Sequence, residues 1–89
     1  MAAKPTHHQL QCDALRILFA NGAVSPETAC HPRYPNGESV SDDTVDRLGA
    51  LDLIDGGLRD AVGTPRKRRW WLTAEGLELA SSLVAAREA

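Results

Sequence analysis

Apolar residues at Leu10, Ala14, Ile17 and Leu18, widened by Leu15 and Phe19, repeat with the helical period and predict an amphipathic helix from about His7 to Ala20. Thr6 stands at the N-cap with Gln9 three residues on, the pattern in which each side chain accepts from the other residue's backbone N–H. Asn21-Gly22 ends the helix. Ala23-Val24 fits a short third strand beside a later hairpin. Ser25-Pro26-Glu27 fits the start of a second helix, because serine caps and proline tolerates the first turn. That helix must be short, since Pro32, Pro35 and Asn36-Gly37 break the chain and leave a connector over residues 32–38.

A third helix follows. Ser39 or Ser41 caps it, Asp42 and Asp43 sit against its N-terminal dipole, and Val45, Leu48 and Leu51 form its inward ridge. The pattern then switches to alternation. Leu53 to Arg59 reads as one strand, residues 60–65 as a hairpin tip containing Gly63 and Pro65, and Lys67 to Leu72 as the returning strand. Trp70 and Leu72 share one face, predicted core, while Trp71 takes the other and points outward. Thr73 caps a final helix reaching about Arg87, with Leu77, Ala80, Leu83 and Val84 as its stripe and Leu79 and Ala86 extending it. So wide a stripe leaves two packings open, against the first helix of the same chain or across a homodimer.

The elements add up to a mostly α fold with a small β-hairpin. Two stretches narrow it further: Leu48-x-x-Leu51-x-Leu53-Ile54, and Trp71-Leu72-Thr73-Ala74-Glu75-Gly76. In the order helix, hairpin, helix they resemble the winged helix-turn-helix regulators of the MarR and PadR kinds. There "L-x-x-L-G-L-I" closes the recognition helix and "Y-x-L-T-x-x-G" opens the last one. The resemblance covers roughly residues 39 to 80. It implies a three-helix core with a wing over about 53–72 and a C-terminal helix over about 74–87. These form a single domain across residues 6–89, behind a disordered N-terminus at 1–5. It also implies duplex DNA as partner, a role in transcription regulation, and a last helix that helps build a dimer. The chain departs from the pattern in its longer connector and in the acids that open its recognition helix.

Charge sharpens both points. Residues 38 to 55 hold six acids against the single base Arg47, whereas residues 59 to 69 hold five bases against the single acid Asp60, a division that the net charge of -2 conceals. With no global attraction for a polyanion, any DNA affinity must be local. The candidate contacts are Arg59, Arg66, Lys67, Arg68 and Arg69 on the hairpin, with Thr44 and Arg47 of the third helix offering limited groove contact. Asp42, Asp43 and Asp46 repel phosphates. Their simplest role is to stabilise the helix start, and with Trp71 they form an alternative surface for a protein partner.

Other chemistry is sparse. A metal site drawn from Cys12, Cys30, His31, His7 and His8 lacks Cys-x-x-Cys or His-to-His helical spacing, so the cysteines read as free thiols serving as small hydrophobes. No glycine-rich phosphate loop or nucleophile setting accompanies the serines, so a binding protein is expected rather than an enzyme, with no cofactor. The apolar runs are too short for a bilayer and Met1 to His8 lack the apolar centre of a signal peptide, which predicts a soluble cytoplasmic chain.

Overall fold

The computed structural model describes residues 6–59 and 67–88. In chain order it contains α1 (His7–Ala20), a single 3₁₀ turn (Pro26–Thr28), α2 (Asp42–Ala50), β1 (Ile54–Arg59), β2 (Lys67–Leu72) and α3 (Ala74–Glu88). The architecture is mostly helical with one small antiparallel sheet, as the periodicities predict. Ala14, Leu15 and Leu18 of α1 meet Val45 and Leu48 of α2, Ile54 of β1, Leu72 of β2 and Ala80 of α3 in one cluster completed by Ala23 and Val40. Each fully buried leucine there contributes roughly 1.5–3 kcal/mol.

Helix α1 begins at the predicted capping box. Gln9 N–H donates to Thr6 Oγ1 at 3.1 Å and Thr6 N–H donates to Gln9 Oε1 at 2.9 Å. It ends on Gly22, whose φ of 68° suits a residue without Cβ, with Ala23 N–H closing on Leu18 O at 3.0 Å and Gly22 N–H on Phe19 O at 3.1 Å. These are the paired bonds of a Schellman motif, and they turn the chain back toward the core.

The segment from α1 to α2 differs from expectation in two ways. The second helix is only the Pro26–Thr28 turn, held by Thr28 Oγ1, which accepts from the N–H groups of Val24 (3.1 Å) and Ser25 (3.2 Å). Ala23-Val24 forms no strand. It contributes one carbonyl, that of Ala23, which accepts from Leu72 N–H at 2.7 Å, while Cys30 makes the two-bond bridge with Trp70. Pro32 and Pro35 explain the short helix, since they remove donors and end regular structure before it can propagate, and Cys30 takes the edge position expected of Ala23-Val24. The connector is nonetheless tied down. Val40 N–H donates to Pro32 O (2.9 Å), Tyr34 N–H to Glu38 O (2.8 Å) and Arg33 Nη1 to Gly37 O (3.1 Å), making a small closed loop around the buried Pro32. Tyr34 packs against the core from this loop, and burial, then the carboxylates of Asp13 and Glu38, raise its phenol above the usual range.

Ser41 caps α2, its Oγ accepting from Thr44 N–H at 3.3 Å. Val45 and Leu48 face the core, but Leu51 does not: it is 56% exposed. The helix stops one residue earlier in a second Schellman motif, with Leu53 N–H on Leu48 O (3.1 Å) and Asp52 N–H on Gly49 O (3.1 Å). Leu51 occupies the C-cap and swings off the ridge. Leu53, partly buried, packs against the core instead. The left-handed position is filled by Asp52 at φ 58°, where the resembled segment carries glycine.

Helix α3 starts at this same junction. Thr73 N–H donates to Leu53 O (3.2 Å), Thr73 Oγ1 donates to Asp52 O (2.6 Å), and Thr73 Oγ1 itself accepts from Gly76 N–H (3.1 Å). Gly76 lies flat on the Leu53 backbone, so that a Cβ would overlap the Leu53 carbonyl. The inward stripe therefore runs through Gly76, Ala80 and Leu83, and Leu77, expected in it, is 37% exposed.

Candidate nucleic-acid interface

The hairpin is built outward from this junction. Ile54 pairs with Leu72, Asp55 with Trp71, Gly56 with Trp70, Gly57 with Arg69, Leu58 with Arg68, and Arg59 with Lys67. The pair nearest the body is apolar and buried, at 2% exposure for each partner, and the three pairs furthest from it each carry at least one base. The far edge of β2 is partly covered as well, through the Cys30 bridge (Cys30 N–H to Trp70 O 3.0 Å, Trp70 N–H to Cys30 O 2.9 Å) and the bond to Ala23. The hairpin base is thus fixed on both sides, and the basic positions begin where the fixing ends.

Gly56 makes the base possible. At φ 138° it occupies a region closed to most L-residues, and a Cβ would strike the Arg69 carbonyl across the ladder. Trp70 packs on the core with its ring over Gly49 of α2, as expected, and buries an Nε1 that has no partner among the described residues. Trp71, expected to point outward, is half-buried.

Of the predicted hairpin contacts, Arg69 is exposed at the start of the arm. Arg59, Lys67 and Arg68 occupy the outermost ladder positions by backbone register. Arg66 and the 60–65 tip lie outside the described residues. Arg16 pairs with Asp13 and Arg47 with Asp43, His7 Nδ1 lies 3.9 Å from Asp43 Oδ2, and no ion pair among the described residues engages Arg69.

Helix α2 is poorly suited to a polyanion. Thr44, expected on the exposed face, is 2% exposed, with its hydroxyl 2.9 Å from Ser41 Oγ. It is consumed by the cap and turned into the core, which removes it as a groove contact. Arg47 is exposed, but its Nε donates to Asp43 Oδ2 at 2.9 Å. Such a surface pair is worth at most about 1 kcal/mol, so a phosphate can compete for the guanidinium. Asp42, Asp43 and Asp46 are all exposed.

One association was not expected from spacings between like residues. His8 and Cys12, one turn apart on α1, bring Nε2 and Sγ to 3.6 Å. The signal was the i, i+4 relation between unlike ligands. Cys30 lies apart from this pair, beside Asn21, whose Nδ2 is 3.7 Å from its sulfur. Among the described residues no three His, Cys, Asp or Glu side chains gather to hold a metal, and no helix is long and apolar enough to cross a membrane. No protein-family model, no curated protein and no solved structure matches the chain.

Proposed function

We propose that the chain is a small winged-helix DNA-binding protein, a transcriptional regulator that grips the duplex backbone through its basic hairpin. The observation that carries this reading is the register, which sets Arg59 across from Lys67 and strings Arg68 and Arg69 next to them on an arm whose base is locked into the core. The element order supports the winged arrangement, with α2 in the recognition-helix position and α3 closing the domain. Arg59, Arg66, Lys67, Arg68 and Arg69 take phosphate oxygens or enter the minor groove, and Arg47 adds limited contact from α2. Because the α2 acids repel phosphate and the helix before α2 is reduced to a turn, affinity comes from the arm more than from base reading.

Titration of a labelled duplex at low salt tests this. Binding should appear there and weaken on the order of a hundredfold between about 50 and 200 mM salt if about four phosphates are neutralised. Replacing Arg66, Lys67, Arg68 and Arg69 by Ala should abolish it. An absence of duplex binding at low salt overturns the proposal.

A second reading rests on the exposed acids of α2 and the burial of Thr44: the same fold serves as a protein-interaction module whose acidic helix meets a basic partner. The triple change Asp42→Asn, Asp43→Asn, Asp46→Asn separates the two. It should strengthen DNA binding about tenfold at low salt under the first reading, since it removes repulsion and releases Arg47. Under the second it should eliminate capture of a basic protein ligand.

A further inference from the structure

We propose that His8 and Cys12 are one half of a tetrahedral site for a zinc-class divalent ion, completed by the same two side chains of a second copy of this chain. The proposal is separate from DNA binding and stands or falls without it. With zinc–sulfur bonds of about 2.3 Å and zinc–nitrogen bonds of about 2.0–2.1 Å, a tetrahedral angle holds the two donors about 3.5–3.6 Å apart. His8 Nε2 and Cys12 Sγ are 3.6 Å apart. In the metal-free molecule the same approach serves as a thiol–imidazole hydrogen bond. An ion replaces the shared proton without moving either donor, so the bite is preorganised.

Access agrees with this. Both residues border an open groove of about 510 Å³ between α1 and Leu83 of α3, lined also by Gln9, Asp13 and Arg16. His8 is exposed and Cys12 half-buried, which leaves the donor atoms reachable while the helix holds their backbone. The carboxylate that lines the groove, Asp13, is already committed, because its Oδ1 accepts from Arg16 Nη1 at 3.0 Å.

The chain therefore offers two ligands where a closed structural site takes four, and among the described residues nothing supplies a third. A second copy related by a two-fold axis supplies the missing pair and yields a Cys2His2 set, one of the ligand sets of closed zinc sites. The groove wall suits such a neighbour. Leu83 lines it, and Leu79, one turn earlier on α3, is 39% exposed and available for burial between copies. Each thiol gives up its proton to solvent as its sulfur binds, so about two protons leave per ion.

Cobalt(II) reports the site directly, since thiolate ligation in tetrahedral geometry gives a sulfur-to-metal charge-transfer band and intense visible transitions. Titrated into the reduced full chain, cobalt(II) should saturate at one ion per two chains, and sedimentation velocity with zinc(II) should show the monomer converting to a dimer over the same range. Cys12→Ser and His8→Ala should each lower affinity by about a hundredfold or more and remove the metal-dependent dimer. Cys30→Ser should change neither readout. His8 is exposed, so His8→Ala tests the ligand without touching the core. The proposal is overturned by absence of the charge-transfer band, by saturation at one ion per chain with no dimer, or by equal loss in Cys30→Ser.

Discussion

The two ends of one hairpin behave as different materials. At its base, Ile54 and Leu72 are buried, β2 is bonded on its second edge to Ala23 and Cys30, and Gly56 and Gly76 permit backbone approaches that no other residue allows. Along its arm the ladder carries Arg69, Arg68, Lys67 and Arg59, and no ion pair among the described residues engages Arg69. The base is specified by shape and the arm by charge. A substitution should therefore affect stability at one end and binding at the other, with little crossing between them.

The sharpest break in that division is at Gly76. Gly76→Ala drives a methyl into the Leu53 carbonyl, and since backbone on both sides resists, urea melts should show a loss of about 3 kcal/mol or more. That is a large share of the total for a domain of this size. Replacing the arm bases Arg66, Lys67, Arg68 and Arg69 by Ala should do the reverse. Duplex affinity falls by on the order of a hundredfold or more at low salt, and the unfolding midpoint stays within about 0.5 kcal/mol of the parent. A comparable loss of stability in the arm variant would erase the distinction.

Two smaller effects refine the base. Asp52 holds a left-handed conformation at φ 58° in the Schellman motif that ends α2, so Asp52→Gly should gain about 0.5–1 kcal/mol in the same melts. The smallest effect is with pH. The Tyr34 phenol is raised above its usual value of 10.0 by burial and by the carboxylates of Asp13 and Glu38. The folded state therefore keeps the proton longer than the unfolded state. Its contribution is fully present below pH 10 and declines as pH rises through the folded value. Arginines keep their charge across that range, so alkali should loosen the Tyr34 side of the core while leaving most of the arm cationic. Tyr34→Phe should flatten the decline.

What could be read from the sequence follows the range of the forces involved. The capping box of Thr6 and Gln9, the Thr73 cap and the hairpin alternation are local signals, settled within a few residues, and they appear where the pattern places them. Leu51, Thr44 and Leu77 fail for a shared reason: each sits at or near a helix end, where a cap or a close backbone approach rotates the inward face away from the simple period. The second helix yields to Pro32 and Pro35, and the Ala23-Val24 strand yields to a bridge made by Cys30, a pairing set by the fold rather than by neighbours in the chain. At the candidate interface, the split of charge was legible by counting. The Arg47–Asp43 pair and the His8–Cys12 approach were present as i, i+4 spacings, but only coordinates distinguish a pair in contact from one facing apart.

The chain's two tryptophans are adjacent on β2, Trp70 packed over Gly49 and Trp71 half-buried next to the arm. Intrinsic emission excited through the indoles is consequently a built-in optical gauge of the hairpin, with no label to perturb it. Quenching or a wavelength shift on adding a duplex would register events at this ribbon, while cobalt bound at α1 would be seen in its own visible bands, so the two proposed ligands can be followed in one cuvette.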